Sequence, residues 1–284
     1  MKYVFNNIKL SFVLTYLNSI TISNALNINI ISLPYDLGAN KVGSRNAFNV
    51  LKEDLIDSNK IKLNKIIELE ANSRHLRIEL GNAYIESWKS LDTKKIPLLI
   101  GGDHTCAIPN IFASNGYCIA NKEKLGVLWI DAHADFNTIQ TSPTKNLHGV
   151  PVSVLCGHTL PMLSFGEHLD PSQFLYYGLR DFDSLEFDRI QEHNMKILDN
   201  ELELKEWCKN YDKIHISFDM DSLDPSVFSS VNTPVKNGLT LENISYLFNH
   251  VKNTKKLQSM DIVEYNPELG NQNEVILKIL EDLL

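Results

Sequence analysis

Short apolar runs, each closed by a polar or glycine-containing loop, recur along this chain at residues 28–33, 96–100, 126–130, 174–177, 214–218 and 260–263. Their hydrophobic side chains are mostly continuous rather than alternating, which suits parallel strands covered on both faces. Segments of helical character lie between them, among them residues 76–91, 183–193 and 241–251. Thr240 is a natural N-cap for the last, with Asn243 three positions on. Strand and helix follow one another throughout, which predicts an open, mostly parallel α/β sheet in a single domain covering residues 27–284. In such sheets ligands bind beyond the carboxyl ends of the strands. The polar residues that follow the apolar runs are therefore the candidates for chemistry.

Three of those strand ends carry clusters. After residues 126–130 comes Asp131-Ala132-His133-Ala134-Asp135, where metal-competent side chains alternate with alanines. Continued as strand, this spacing puts two carboxylates and an imidazole on one side. Such a set resists burial unless a cation neutralises it. After residues 96–100, Gly101-Gly102-Asp103-His104-Thr105 delivers a histidine at the rim. After residues 214–218, Asp219-Met220-Asp221 places two more carboxylates two positions apart. Taken singly, each cluster reads as a turn, a helix cap or a solvated loop. Their coincidence at three strand ends does not. The sum is His104, His133, Asp131, Asp135, Asp219 and Asp221, more than one zinc site uses. An oxygen-rich set with one histidine per ion fits two Mn²⁺ with bridging carboxylates. Two such ions roughly 3.5 Å apart can hold a hydroxide and bring its pKa into the working range.

Bulk properties narrow the class without changing this picture. A 284-residue chain with 43% hydrophobic and 22% charged residues can build a sizeable core of its own. Its formal net charge of −8, with no basic stripe, argues against nucleic acid or an anionic membrane as partner. Cys106, Cys118, Cys156 and Cys208 form no C-x-x-C pair, so they read as free thiols acting as small hydrophobes. Residues 1–26 admit two readings. Lys2, Lys9 and the apolar stretch from Leu10, with Ser23-Asn24-Ala25 as a cleavage site, describe a signal peptide and an exported protein. Thr15, Asn18, Ser19 and Thr21 dilute that stretch and favour a short extension of a cytoplasmic one. No run of the sequence is long enough to span a bilayer.

The motifs Gly101-Gly102-Asp103-His104, Asp131-Ala132-His133-Ala134-Asp135 and Ser217-Phe218-Asp219-Met220-Asp221-Ser222-Leu223-Asp224-Pro225 resemble those of the ureohydrolases, the arginases and agmatinases. They occur in that family's order, and the resemblance covers roughly residues 28 to 270. It implies an eight-stranded parallel sheet flanked by helices on both sides and a trimeric or hexameric homo-oligomer. Each subunit would hold two Mn²⁺. By position it makes Asp131 and Asp219 bridging ligands, pairs His104 with Asp135 on one ion, and pairs His133 with Asp221 on the other. Asp135 would also hydrogen-bond the bridging hydroxide. His148 matches the proton-shuttling histidine beside the departing amine, and Glu264 the carboxylate that holds the guanidinium.

The substrate tail is read elsewhere. By the same resemblance Asn137 and Thr144 stand where arginases bind the α-carboxylate, and Asp183 lies near the α-ammonium. Asp183 also reads as the N-cap of the helix that follows. These groups favour L-arginine, cleaved to L-ornithine and urea, over agmatine; hydrolysis of another guanidino acid is the alternative they leave open. A catalytically silent binding or scaffold relative would have lost ligands, and all six are present. Two departures bear on substrate fit: Asn232 and Asn237 stand where arginases commonly carry glycines, and the loop from Tyr35 to Arg45 lacks the usual glycine-proline after it. The apolar stripe Val275, Ile276, Ile279, Leu280 and Leu283 in the tail predicts packing within the chain.

Overall fold

A computed structural model of the chain describes residues 27–70 and 75–284. The signal-peptide reading of the N-terminus lies outside them. Eight strands are present: β1 (Ile28–Leu33), β2 (Leu63–Glu68), β3 (Ile96–Gly101), β4 (Leu125–Ile130), β5 (Phe174–Tyr177), β6 (Lys196–Ile197), β7 (Lys213–Asp219) and β8 (Leu257–Val263). They form one sheet in the order β2-β1-β3-β8-β7-β4-β5-β6, with every neighbouring pair parallel. The six runs read from the sequence are β1, β3, β4, β5, β7 and β8. The other two, β2 and β6, are the sheet's edges. In β2 (LNKIIE) no residue is fully buried, and β6 is two residues long. An edge strand need bury only one face and carries polar residues that discourage further pairing, so it lacks the apolar run of a central strand.

Helices cover both faces. On one side lie α1 (Ala47–Asp57), α6 (Glu201–Lys209), α7 (Leu241–Thr254) and α8 (Asn273–Leu283), contributing Phe48, Leu51, Trp207, Phe248 and Ile279 to one core. On the other lie α2 (Leu76–Asp92), α3 (Ala107–Ala120), α4 (Pro151–Leu155) and α5 (Ser184–Glu192), contributing Leu80, Phe112, Val152 and Ile190 to a second. Thr240 caps α7 as expected, in a reciprocal capping box with Asn243. The tail stripe forms the inner face of α8, where Ile276, Ile279, Leu280 and Leu283 are buried. Each such side chain contributes about 1.5–3 kcal/mol by leaving water. All four cysteines are buried and free, and no described helix is long and apolar enough to cross a membrane.

The topology decides where chemistry can occur. The central strands β3, β8, β7 and β4 are neighbours, and each of the three sequence clusters hangs from the carboxyl end of one of them. Residues separated by more than a hundred positions are thereby brought to one crevice.

Candidate metal centre and substrate pocket

His104 follows β3 in a short 3₁₀ turn whose N-cap, Asp103, accepts a hydrogen bond from Thr105 N. The two glycines before it are required by close approach, not by φ. A Cβ on Gly102 would lie 2.0 Å from Tyr35 O, and one on Gly101 would lie 2.4 Å from Cys106 Cβ. The His104 ring stacks on Trp129 at 4.2 Å and 6°. Its Nε2 lies 2.9 Å from Ser217 Oγ, which donates to Asp261 Oδ2 at 2.5 Å. The imidazole is thus clamped, and its Nδ1 points among Asp131 Oδ2 (3.0 Å), Asp135 Oδ2 (3.2 Å) and Asp219 Oδ2 (3.0 Å). That nitrogen is buried and makes a proper hydrogen bond to none of them.

The segment after β4 corrects one expectation. Asp131, His133 and Asp135 do not continue the strand. Asp131 Oδ1 accepts from His133 N at 2.7 Å, which bends the chain, and Asp135 adopts a left-handed φ of 51°. The bend separates what period two would have grouped. Asp131 and Asp135 face His104, while His133 Nδ1 turns to Asp221 Oδ2 at 3.2 Å. A similar turn follows β7, where Asp219 Oδ1 accepts from Asp221 N at 2.8 Å. The result is two groups of potential ligands, His104–Asp131–Asp135 and Asp131–His133–Asp221, joined through Asp131. Asp219 reaches the first through His104, and Thr233 Oγ1 donates to Asp221 Oδ2 at 2.7 Å.

Electrostatics shows what this arrangement demands. Burial and mutual repulsion push the carboxyls of Asp135, Asp219 and Asp221 upward. Asp131 is held down against burial by His104 and His133, and both imidazoles are driven upward by the surrounding aspartates. Without cations, burial and repulsion favour proton uptake at Asp135, Asp219 and Asp221. Divalent ions at the two groups would supply the missing positive charge and a partner for His104 Nδ1, so the residues present fit a two-cation centre.

Above this floor opens a pocket of about 250 Å³ lined by His133, Asn137, Thr144, His148, Asp183, Glu186, Thr233 and Glu264, among others. Glu264, at the end of β8, has a left-handed φ of 66°, a strained conformation for a glutamate. Its Oε1 accepts from His104 N at 3.0 Å and lies 3.2 Å from His148 Nδ1. Its Oε2 is buried without a partner. Burial pulls the His148 pKa down, but the Glu264 carboxylate overrides it and holds the ring up at about 9.

On the far wall Asp183 takes the capping role read for it and lines the pocket. It caps α5 by accepting from Glu186 N at 3.0 Å, and its Oδ2 accepts from Asn137 Nδ2 at 2.9 Å. Thr144 lies exposed on the rim. Sequence reasoning missed Glu186. Its Oε1 accepts from Phe136 N (2.8 Å) and Asn137 N (3.1 Å), and burial raises its carboxyl to about 7. The two departures in the loops meet one another. Asn232 Nδ2 donates to Lys41 O (3.2 Å), Lys41 Nζ donates to Asn232 O (2.9 Å), and Asn266 Nδ2 donates to Asn232 Oδ1 (2.8 Å). Asn237 occupies a left-handed φ of 61°, a region asparagine tolerates.

Residues 26–283 match the model of the Arginase family. An arginase of Entamoeba histolytica is 32% identical over 210 residues, 69% of this chain and 71% of that protein. An arginase of Staphylococcus aureus is 31% identical over 65% of each chain. Among solved structures, the Bacillus subtilis arginase superposes with a TM-score of 0.80 at 28% identity, covering 91% of this chain and 98% of that one. The E. histolytica arginase in complex with L-ornithine gives 0.81 at 27%, covering 92% and 99%. With the strand-end clusters gathered at one crevice in the expected fold, the chain belongs to the arginase family of ureohydrolases.

Proposed function

We propose that this chain is an arginase holding two Mn²⁺ per subunit and converting L-arginine and water to L-ornithine and urea. The observation that carries the reading is the sharing of Asp131 between two histidine–carboxylate groups on the pocket floor, buried except for His133. Asp131 and Asp219 would bridge the ions, His104 and Asp135 completing one site and His133 and Asp221 the other. Oxygen-rich donors with one imidazole apiece suit Mn²⁺ better than zinc. Bound there, the ions would acidify a water and supply a nucleophile at neutral pH.

The protein's own residues do the rest. Glu264 offers its unpartnered Oε2 to the guanidinium, a planar cation that a carboxylate can hold by paired hydrogen bonds. Asp135 orients the attacking water by accepting a hydrogen bond from it. His148, kept protonated beside Glu264, gives its proton to the departing ornithine amine. Asn137 and Thr144 face the α-carboxylate, and Asp183 with Glu186 the α-ammonium. The likeness to a protein crystallised with L-ornithine supports an amino-acid product. Agmatine has no α-carboxylate and would leave Asn137 and Thr144 unmatched.

Mn²⁺-loaded protein incubated separately with L-arginine, agmatine and guanidinobutyrate, with urea measured, tests the reading. Arginine is expected to turn over fastest. Faster urea release from agmatine overturns the assignment of Asn137, Thr144 and Asp183. Protein that neither retains manganese nor releases urea from any of the three is a silent relative.

A further inference from the structure

Arg180 follows β5 in the segment that leads to Asp183, and its guanidinium is spent entirely on backbone. Nε donates to Lys236 O (3.1 Å), and Nη1 donates to Gly178 O (2.8 Å) and Ser222 O (3.1 Å). Nη2 donates to Asp221 O (2.8 Å) and Val235 O (2.9 Å), with Leu223 O at 3.5 Å. Its own backbone N donates to Ala132 O at 2.9 Å. One residue therefore ties together three pieces of chain: the bend after β4, the turn carrying Asp221, and the loop that carries Thr233. Gly238 is shaped around it, since a Cβ there would lie 2.7 Å from Arg180 Nη2 and 2.4 Å from Asp224 N.

The tethers converge on one half of the centre. Asp221 O is held directly, and Asp221 Oδ2 receives Thr233 Oγ1 from the neighbouring loop, whose Val235 O and Lys236 O are held by the same guanidinium. Among the described residues no guanidinium is bonded to the backbone of His104 or Asp135 in this way. Those are fixed by Trp129, Ser217 and the Asp135 O to Val152 N bond. A guanidinium carries five N–H groups in a rigid plane; an ammonium has three on one point and cannot serve carbonyls spread over this arc.

We propose that Arg180 is the positioning residue of the second cation site, the one formed by Asp131, His133 and Asp221, and that the first site is independent of it. It holds the Asp221 turn against the bend after β4, so that the carboxylate meets His133. The proposal rests on the two-cation reading above. Loss of an outer partner of a metal ligand costs about 10–100-fold in affinity.

The test is a Mn²⁺ titration of metal-free protein, followed by electron paramagnetic resonance, which separates free ions, a single bound ion and a spin-coupled pair. Wild type should bind two ions and show the coupled pair. Arg180→Lys should keep the first affinity, bind the second ion at least about tenfold more weakly, and show a single-ion spectrum at one equivalent that couples only at high Mn²⁺. Arg180→Gln, which keeps a planar end with fewer donors, serves if the lysine variant does not fold. A variant that binds both ions as wild type does, or one whose two sites weaken equally, overturns the role of Arg180. Wild type that binds a single ion overturns the two-cation reading itself, and the role of Arg180 with it.

Discussion

The floor of the crevice and its far wall are built on opposite plans. On the floor, six ligand-competent side chains hang from strand ends, five of them buried, and their charges oppose one another until cations intervene. On the wall, the polar groups already satisfy each other: Asn137 donates to Asp183, Asp183 caps α5, and Glu186 accepts two backbone N–H groups. The floor is therefore an unfinished structure that a ligand completes, whereas the wall stands alone and lends its spare lone pairs to a substrate. Damage to the floor should change metal content and activity together. Damage to the wall should change substrate affinity with the metals in place.

The largest effect should follow from breaking the one residue common to both groups. Asp131→Asn keeps the shape but removes the charge that His104 and His133 share. Since mere outer partners of ligands cost about 10–100-fold, losing a shared ligand should cost about a thousandfold or more in kcat. Manganese per subunit, measured by atomic absorption after gel filtration, should fall in parallel. An Asp131→Asn protein with full metal content and little loss of turnover would remove the distinction between floor and wall.

That distinction also explains what could be read in advance. The floor was legible because its ligands sit within a few residues of apolar central strands, where local spacing and strand-end position coincide. Spacing misled in one respect. The alternation in residues 131–135 looked like strand, but Asp135 adopts a left-handed φ and the Asp131 side chain bends the chain. These are choices made by tertiary contacts, and they split the triad between two sites. The wall was harder to read. Glu186 sits in the first turn of α5 three residues after Asp183, a pattern that reads as a helix start, while its partners Phe136 and Asn137 lie some fifty positions away. Arg180 serves backbone carbonyls, which have no sequence signature at all. The edge strands β2 and β6 escaped for a related reason: an element buried on one side only leaves a weak pattern.

A smaller and more selective effect is expected on the wall. Asp183→Ala removes both the α5 cap and the acceptor of the Asn137 amide. A lost cap costs about 1 kcal/mol of stability, a modest drop in melting temperature. Arginine turnover should fall, mainly through KM, and manganese content should stay near that of wild type. Metal loss in this variant would mean that the wall supports the floor, and the comparison would have to be redrawn.

The subtlest test separates charge from shape at Glu186. Burial raises its carboxyl from an ordinary 4.5 to about 7. A carboxyl whose folded pKa lies above its unfolded value contributes stability that is fully present below pH 4.5 and lost as pH rises through 7. Glu186→Gln keeps an oxygen to accept from Phe136 N and Asn137 N but cannot ionise. Its melting temperature should therefore gain on that of wild type as pH rises from 5 toward 8. Substrate binding should show the opposite sign, because the ionised form is the one that attracts an α-ammonium. The KM ratio of variant to wild type for L-arginine should be close to one at pH 5.5 and rise to about tenfold at pH 8.5. Taking a ratio cancels the pH dependence of the shared metal centre. A ratio that stays flat across that range would show that Glu186 shapes the wall through its two backbone hydrogen bonds alone and leaves the ammonium to Asp183.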